Sequence, residues 1–201
     1  MPFQRKIRLE NKWPGRMPVG PAGFRKRVIR TLSESDLRRH IAVVSQQPHM
    51  FNASLKENLL LARPEASEED LRQALDSARL INFVDSLPDG LDTWIGEAGK
   101  LLSAGQARRL AVARAILRDA PIWVLDEPTE GLDRITEQQV MKSLYDLTAG
   151  RTVLLITHRL VDLHRMDKIL MLERGRIIEQ GSHEALLKGN TRYAALQASI
   201  L

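Results

Sequence analysis

The string Ile122-Trp123-Val124-Leu125-Asp126-Glu127-Pro128-Thr129 sets two carboxylates directly behind four apolar residues. The apolar run predicts a fully buried strand, and an unpaired charge buried at its end would be costly. A cationic counterpart is therefore expected. In open α/β sheets ligands gather at the carboxyl ends of the strands. Asp126 is thus a candidate to hold Mg²⁺, and Glu127 a candidate to orient or deprotonate a water. The structural alternative is an acidic strand end paired with a lysine or arginine.

Two further groups have the right chemistry to work beside that pair. Ser103 and Gln106 form an S-x-x-Q capping box that opens a helix, which by itself explains both residues as helix punctuation. A helix start is also an anion site, because first-turn N–H groups and the positive end of the dipole point outward. The small residues Ala104 and Gly105 would let a phosphate approach the backbone. His158 follows the apolar run Thr152-Val153-Leu154-Leu155-Ile156, 31 residues after Glu127. If the two strands are parallel, His158 emerges on the same sheet edge as the carboxylates; otherwise it is an ordinary polar loop residue.

Short apolar runs alternating with amphipathic helices predict an α/β domain that positions these groups. Ile41-Ala42-Val43-Val44 reads as a strand ending in Ser45-Gln46-Gln47-Pro48. Ser54 with Glu57, and Ser67 with Asp70, are capping boxes opening two helices. The second carries Leu71, Ala74, Leu75 and Ala78 on one face, which must be buried. A polar helix is expected over about 134–147, then a second buried strand over 152–156. A hairpin is expected over 168–180, turning at Arg174-Gly175.

Composition narrows the class. The 201 residues are 43% hydrophobic and 27% charged, which excludes disorder throughout, collagen-like repeats and coiled coil. No apolar stretch approaches the roughly 20 residues of a membrane-spanning helix. There is no cysteine, hence no disulfide framework, thiolate metal site or catalytic thiol. The net charge of +5 is unevenly placed: residues 1–30 hold nine Lys/Arg against Glu10 alone, while the other 171 residues hold 21 basic and 24 acidic side chains. That basic arm also has four of the nine prolines and no helical or strand period. It reads as a disordered leader, with a tether to nucleic acid or acidic lipid as the alternative.

Taken together, these strings resemble the ATP-binding (nucleotide-binding) domain of ABC transporters of the exporter type. Ser45-Gln46-Gln47-Pro48 resembles the Q-loop, Leu102-Ser103-Ala104-Gly105-Gln106 the signature motif, and Val124 to Thr129 the Walker B strand with its catalytic glutamate. Gly131-Leu132-Asp133 resembles the D-loop and His158 the switch histidine. The stretches Asp126 to Asp133 and Gly90 to Glu97 look most like a CydC-type subunit, half of a heterodimeric cysteine/glutathione exporter needed for cytochrome bd assembly. The resemblance implies an α/β P-loop NTPase-like fold with a helical subdomain, about 54–117, and a C-terminal hairpin. It implies ATP and Mg²⁺ as cofactors. Implied partners are a second nucleotide-binding domain, a CydD-like half, and transmembrane domains through which alone the chain meets the inner membrane from the cytoplasmic side.

The resemblance also implies roles. Gln46 would sense Mg²⁺ and water, Asp126 would hold Mg²⁺, Glu127 would polarise the attacking water, and His158 would contact the γ-phosphate. Ser103, Ala104, Gly105 and Gln106 would clamp a partner's ATP, with Asp133 bridging the subunits. Ala104 stands where glycine is usual, which is expected to cost little. The family's phosphate cradle, G-x-x-x-x-G-K-[ST], is absent: Gly15 and Gly20 have the spacing, but Pro21 and Ala22 replace the lysine and hydroxyl. The expected organisation is a leader, 1–27, unrelated to the family, and a truncated domain, 28–201, with apolar strand surface left exposed. Three functions follow: an exporter ATPase subunit fragment, a non-catalytic remnant that only docks on a P-loop-bearing partner, and a nucleic-acid-associated ABC ATPase. Nucleic acid is the least expected partner. All depend on the acidic pair, the serine-opened helix and the late histidine sharing one triphosphate-sized space with a neighbour.

Overall fold

The computed structural model describes residues 33–189 and 191–199. The leader lies outside them. The chain divides into two compact units, Met1–Leu154 and Leu155–Leu201.

In the first unit, helix α1 (Glu34–His40) runs into strand β1 (Ile41–Val44), followed by helices α2 (Leu55–Leu60), α3 (Glu68–Ser77), α4 (Ile81–Asp85) and α5 (Ala104–Arg118). Strand β2 (Ile122–Asp126), helix α6 (Arg134–Leu147) and strand β3 (Thr152–Ile156) complete it, β3 running on into the second unit. The sheet order is β1-β2-β3, and β1 pairs with β2 in parallel, Ile41 opposite Ile122 and Val44 opposite Leu125. That register puts Ala42, Val44, Trp123 and Leu125 on one face, where all are buried and α5 packs on β1.

The expectation that β2 and β3 are fully buried is not met. Along β2 burial alternates, and on β3 Thr152, Leu154 and Ile156 are exposed. Helix α5 covers one face only, so Val43, on the other, remains 59% exposed and Leu154 49%. Unbroken apolar runs suit a sheet covered on both sides; among the described residues these strands have one covered side.

The capping boxes form as expected. Ser54 Oγ accepts from Glu57 N at 3.1 Å while Glu57 returns a carboxylate to Ser54 N at 2.8 Å. Ser67 and Asp70 do the same at the start of α3, whose Leu71, Ala74, Leu75 and Ala78 are buried; α3 packs against α5. The Arg63 guanidinium and the Ser67 hydroxyl and amide hold the Asp70 carboxyl down at about 2. A depressed carboxyl stabilises the folded state above its unfolded value of about 3.9, and that contribution is lost as pH falls. Carboxyl NMR titration should therefore give Asp70 a midpoint near 2, and Arg63→Gln should raise it towards 4. A midpoint already near 4 in the unmodified chain would refute this pairing.

In the second unit, strands β4 (Ile169–Glu173) and β5 (Arg176–Gly181) form the antiparallel hairpin, turning at Arg174-Gly175. Helices α7 (His183–Lys188) and α8 (Arg192–Ala198) pack beside it around Leu163, Ile169, Leu186 and Tyr193. The Glu179 carboxylate accepts from the Arg192 and Tyr193 amides at 2.7 and 3.1 Å, joining the hairpin to the start of α8.

Candidate functional site

Parallel pairing of β1 and β2 brings their carboxyl ends to one sheet edge. Gln46 leaves that edge two residues beyond β1, and Asp126 is the last residue of β2. Asp126 and Glu127 are both half-buried. Glu127 takes a left-handed backbone, φ 48°, at a cost of roughly 1 kcal/mol for a non-glycine residue. Glu130 N closes the following turn on Glu127 O at 3.2 Å and Leu132 N does so on Thr129 O at 3.2 Å. The chain thus turns sharply at the first residue that could act on water, which is where strained backbone is characteristically kept.

Ser103 caps α5 as expected: its Oγ accepts from Gln106 N at 3.2 Å, and Gln106 Oε1 accepts from Ser103 N at 2.8 Å. Ser103 and Ala104 are exposed. Accepting the Gln106 amide leaves the Ser103 hydroxyl proton to donate outward. Gly105 lies against the turn 129–132; a Cβ there would come within 3.1 Å of Leu132 Cδ2 and 3.7 Å of Gly131 O. A larger residue there would therefore crowd the Leu132 side chain inside this chain as well as any phosphate outside it. Asp133 caps α6, its Oδ1 accepting from Ile135 N and Thr136 N at 3.1 and 3.0 Å, and hydrogen bonding from the Thr136 side chain first, then from the Thr136 amide, holds its carboxyl below the usual range.

The sequence left the arginines of α5 without roles. Arg108 is buried, and its Nη2 donates to Gln46 O at 2.7 Å. The same nitrogen lies 3.7 Å from Glu130 Oε2, which also accepts from Gln46 Nε2 at 3.1 Å. Arg114 donates through Nε to Asn58 O at 2.8 Å, through Nη1 to His49 O at 2.7 Å, and through Nη2 to Asn58 Oδ1. Burial pushes its guanidinium down to about 10, still cationic at neutral pH. The only sequence signal for these roles was four arginines on a helix most of whose apolar residues are buried.

Gln46, Ser103, Ala104, Gly105, Gln106, Asp126, Glu127 and Asp133 all belong to the first unit, and the α5 start packs directly on the turn that follows Glu127. His158 is exposed and belongs to the second unit, where Arg159 N donates to Thr157 Oγ1 at 3.0 Å.

Residues 16–130 match the family model described as ABC transporter. The chain belongs to that family, and its fold is the α/β fold of the family's ATP-binding domain. It is 47% identical over 165 residues to the glutathione/L-cysteine transport system ATP-binding/permease protein CydC of Escherichia coli (strain K12), covering 82% of this chain and 28% of that protein. It is 48% identical over 168 residues to an ATP-dependent lipid A-core flippase of Ralstonia nicotianae, again covering 82% of this chain and 28% of the relative. A solved bacterial Atm1-family ABC exporter with ATP bound superposes with a TM-score of 0.79 at 35% identity, over 86% of this chain and 30% of that one. The chain therefore spans less than a third of the length of these relatives. Among the described residues no helix is long and apolar enough to cross a membrane.

The family implies ATP, and Mg²⁺ with it. Among the described residues no three His, Cys, Asp or Glu side chains cluster as a metal cage. Mg²⁺ typically takes one or two carboxylates and completes its shell with water and substrate phosphate. The α5 start, with Ser103 and Ala104 exposed, suits a phosphate arriving from outside this chain.

Proposed function

We propose that this chain is the ATP-binding domain of a CydC-type exporter half, serving an ATP carried on the phosphate-binding loop of a second, CydD-like nucleotide-binding domain. The observation that best supports this is the exposed, capped start of α5, with Ser103 and Ala104 open and Gly105 packed on the turn 129–132. In this reading Ser103 to Gln106 contact the partner's triphosphate, with Asp133 at the subunit seam. Asp126 and Gln46 hold Mg²⁺, which when bound neutralises phosphate charge. Glu127 polarises the attacking water, and His158 contacts the γ-phosphate. ATP hydrolysis then drives export, and transmembrane domains hold the chain at the inner membrane. Cysteine or glutathione is the proposed cargo, favoured by the CydC-like stretches around Gly90 and Asp126; relatives of similar identity are named for lipid A and β-(1→2)glucan.

The absent G-x-x-x-x-G-K-[ST] string favours a second reading for this chain's own nucleotide position, docking without turnover. Losing three charge-assisted hydrogen bonds to phosphate weakens binding by about three orders of magnitude or more. Titrating Mg·ATP onto the isolated chain should accordingly show no saturation in the micromolar range. Adding a P-loop-bearing partner domain and ATP should produce a heterodimer by size-exclusion chromatography that ADP does not support. Micromolar binding by the chain alone, or no ATP-dependent association, would overturn the proposal.

A further inference from the structure

We propose that Glu130 and Arg108 are positioning residues that latch Gln46, so that its side-chain amide is held on Glu130 until a metal-bound nucleotide draws it away. One carboxylate oxygen, Glu130 Oε2, is shared: Gln46 Nε2 donates to it at 3.1 Å and Arg108 Nη2 lies 3.7 Å from it. Arg108 Nη2 also donates to the Gln46 carbonyl at 2.7 Å, so both the backbone and the side chain of Gln46 are held by the same pair.

The guanidinium is confined on the other side as well. A Cβ at Gly131, φ 76°, would come within 3.3 Å of Arg108 Nη1, and buried Arg108 Nε has no hydrogen-bond partner. A buried cation with an unsatisfied N–H gains from each additional carboxylate contact. When Gln46 leaves, Glu130 Oε2 has Arg108 still beside it, so release does not strand a charge. The latch thus has two settled arrangements, with Glu130 shared or with Glu130 wholly on Arg108. Because Arg108 stands one turn inside the capped end of α5, it links Gln46 mechanically to the turn 130–133 and to Ser103. None of these three residues is joined by sequence proximity.

This inference rests on the reading of Gln46 and Asp126 as the metal side of the site, and the test separates the two. In the full chain, the Gln46 side-chain amide pair should shift and sharpen by NMR in Glu130→Ala. It should stay near its original position in Glu130→Gln, which keeps an acceptor. Arg108→Gln should move it too. An amide pair indifferent to Glu130→Ala overturns the latch whatever the nucleotide does.

In a second measurement Mn·ATP serves as a paramagnetic probe. Glu130→Ala should bind it about fivefold more tightly, because one hydrogen bond no longer has to be broken, and Glu130→Gln should match the unmodified chain. A merely electrostatic role predicts tighter binding in both variants, since each removes a negative charge beside the net-anionic Mn·ATP, and that result overturns the latch. If Asp126→Asn leaves Mn·ATP broadening around residue 126 unchanged, the metal reading fails, while the amide shifts still decide the latch.

Discussion

Ser103→Asp is expected to lower ATP hydrolysis by the assembled pair of domains by about two orders of magnitude or more, with little change in Tm. Aspartate caps a helix as well as serine does, so the bond to Gln106 N at the start of α5 persists and the fold is preserved. What changes is outside the cap. The hydroxyl proton that could reach a phosphate oxygen is lost, and a carboxylate takes its place facing the same anion. A missing charge-assisted hydrogen bond costs about 1.5–3 kcal/mol, and like-charge repulsion adds to it. Steady-state hydrolysis at saturating ATP, with a thermal melt alongside, measures both halves. Unaltered turnover in Ser103→Asp would remove the signature turn from the reaction.

Arg114→Ala should be the most damaging single change to the fold itself, at about 3–5 kcal/mol. Three donors vanish at once, and the Asn58 and His49 carbonyls lose their partner. Asn58 is fully buried and organises the segment 51–54 through Phe51 N, Phe51 O and Ser54 O, at 3.0, 3.1 and 2.8 Å. Removing the arginine therefore loosens α2 together with the chain leading out of the Gln46 loop. For a chain of this length the loss corresponds to a Tm decrease of roughly 10 °C. Arg38→Ala is the control: its pair with Glu34 is exposed and one turn apart, and such pairs are worth under about 1 kcal/mol. Equal Tm values for the two variants would refute the clamp.

The sequence alone determined what is local. A cap needs a side chain and an amide three residues apart, so Ser54, Ser67 and Ser103 announced α2, α3 and α5 without any knowledge of packing. An apolar run ending in Asp126-Glu127 announced a strand edge with charge on it, and the order of the strings carried the family. The same reasoning overestimated burial in β2 and β3, because an apolar run records what a strand could bury, whereas exposure depends on what covers it.

Tertiary structure decided the links between those strings. Gln46 meets Glu130 across 84 residues and Arg108 across 62, and Arg114 reaches Asn58 across 56. No period or spacing encodes such pairs: they arise where α5 packs on β1 and on α2 and where β1 and β2 pair in parallel. Gly105 shows the same division. Its sequence setting suggested room for a phosphate, while the fold adds that Leu132 already occupies the space a side chain would need. Side-chain chemistry is written residue by residue, but which groups share one charge or one cavity is set only when distant segments are brought into contact.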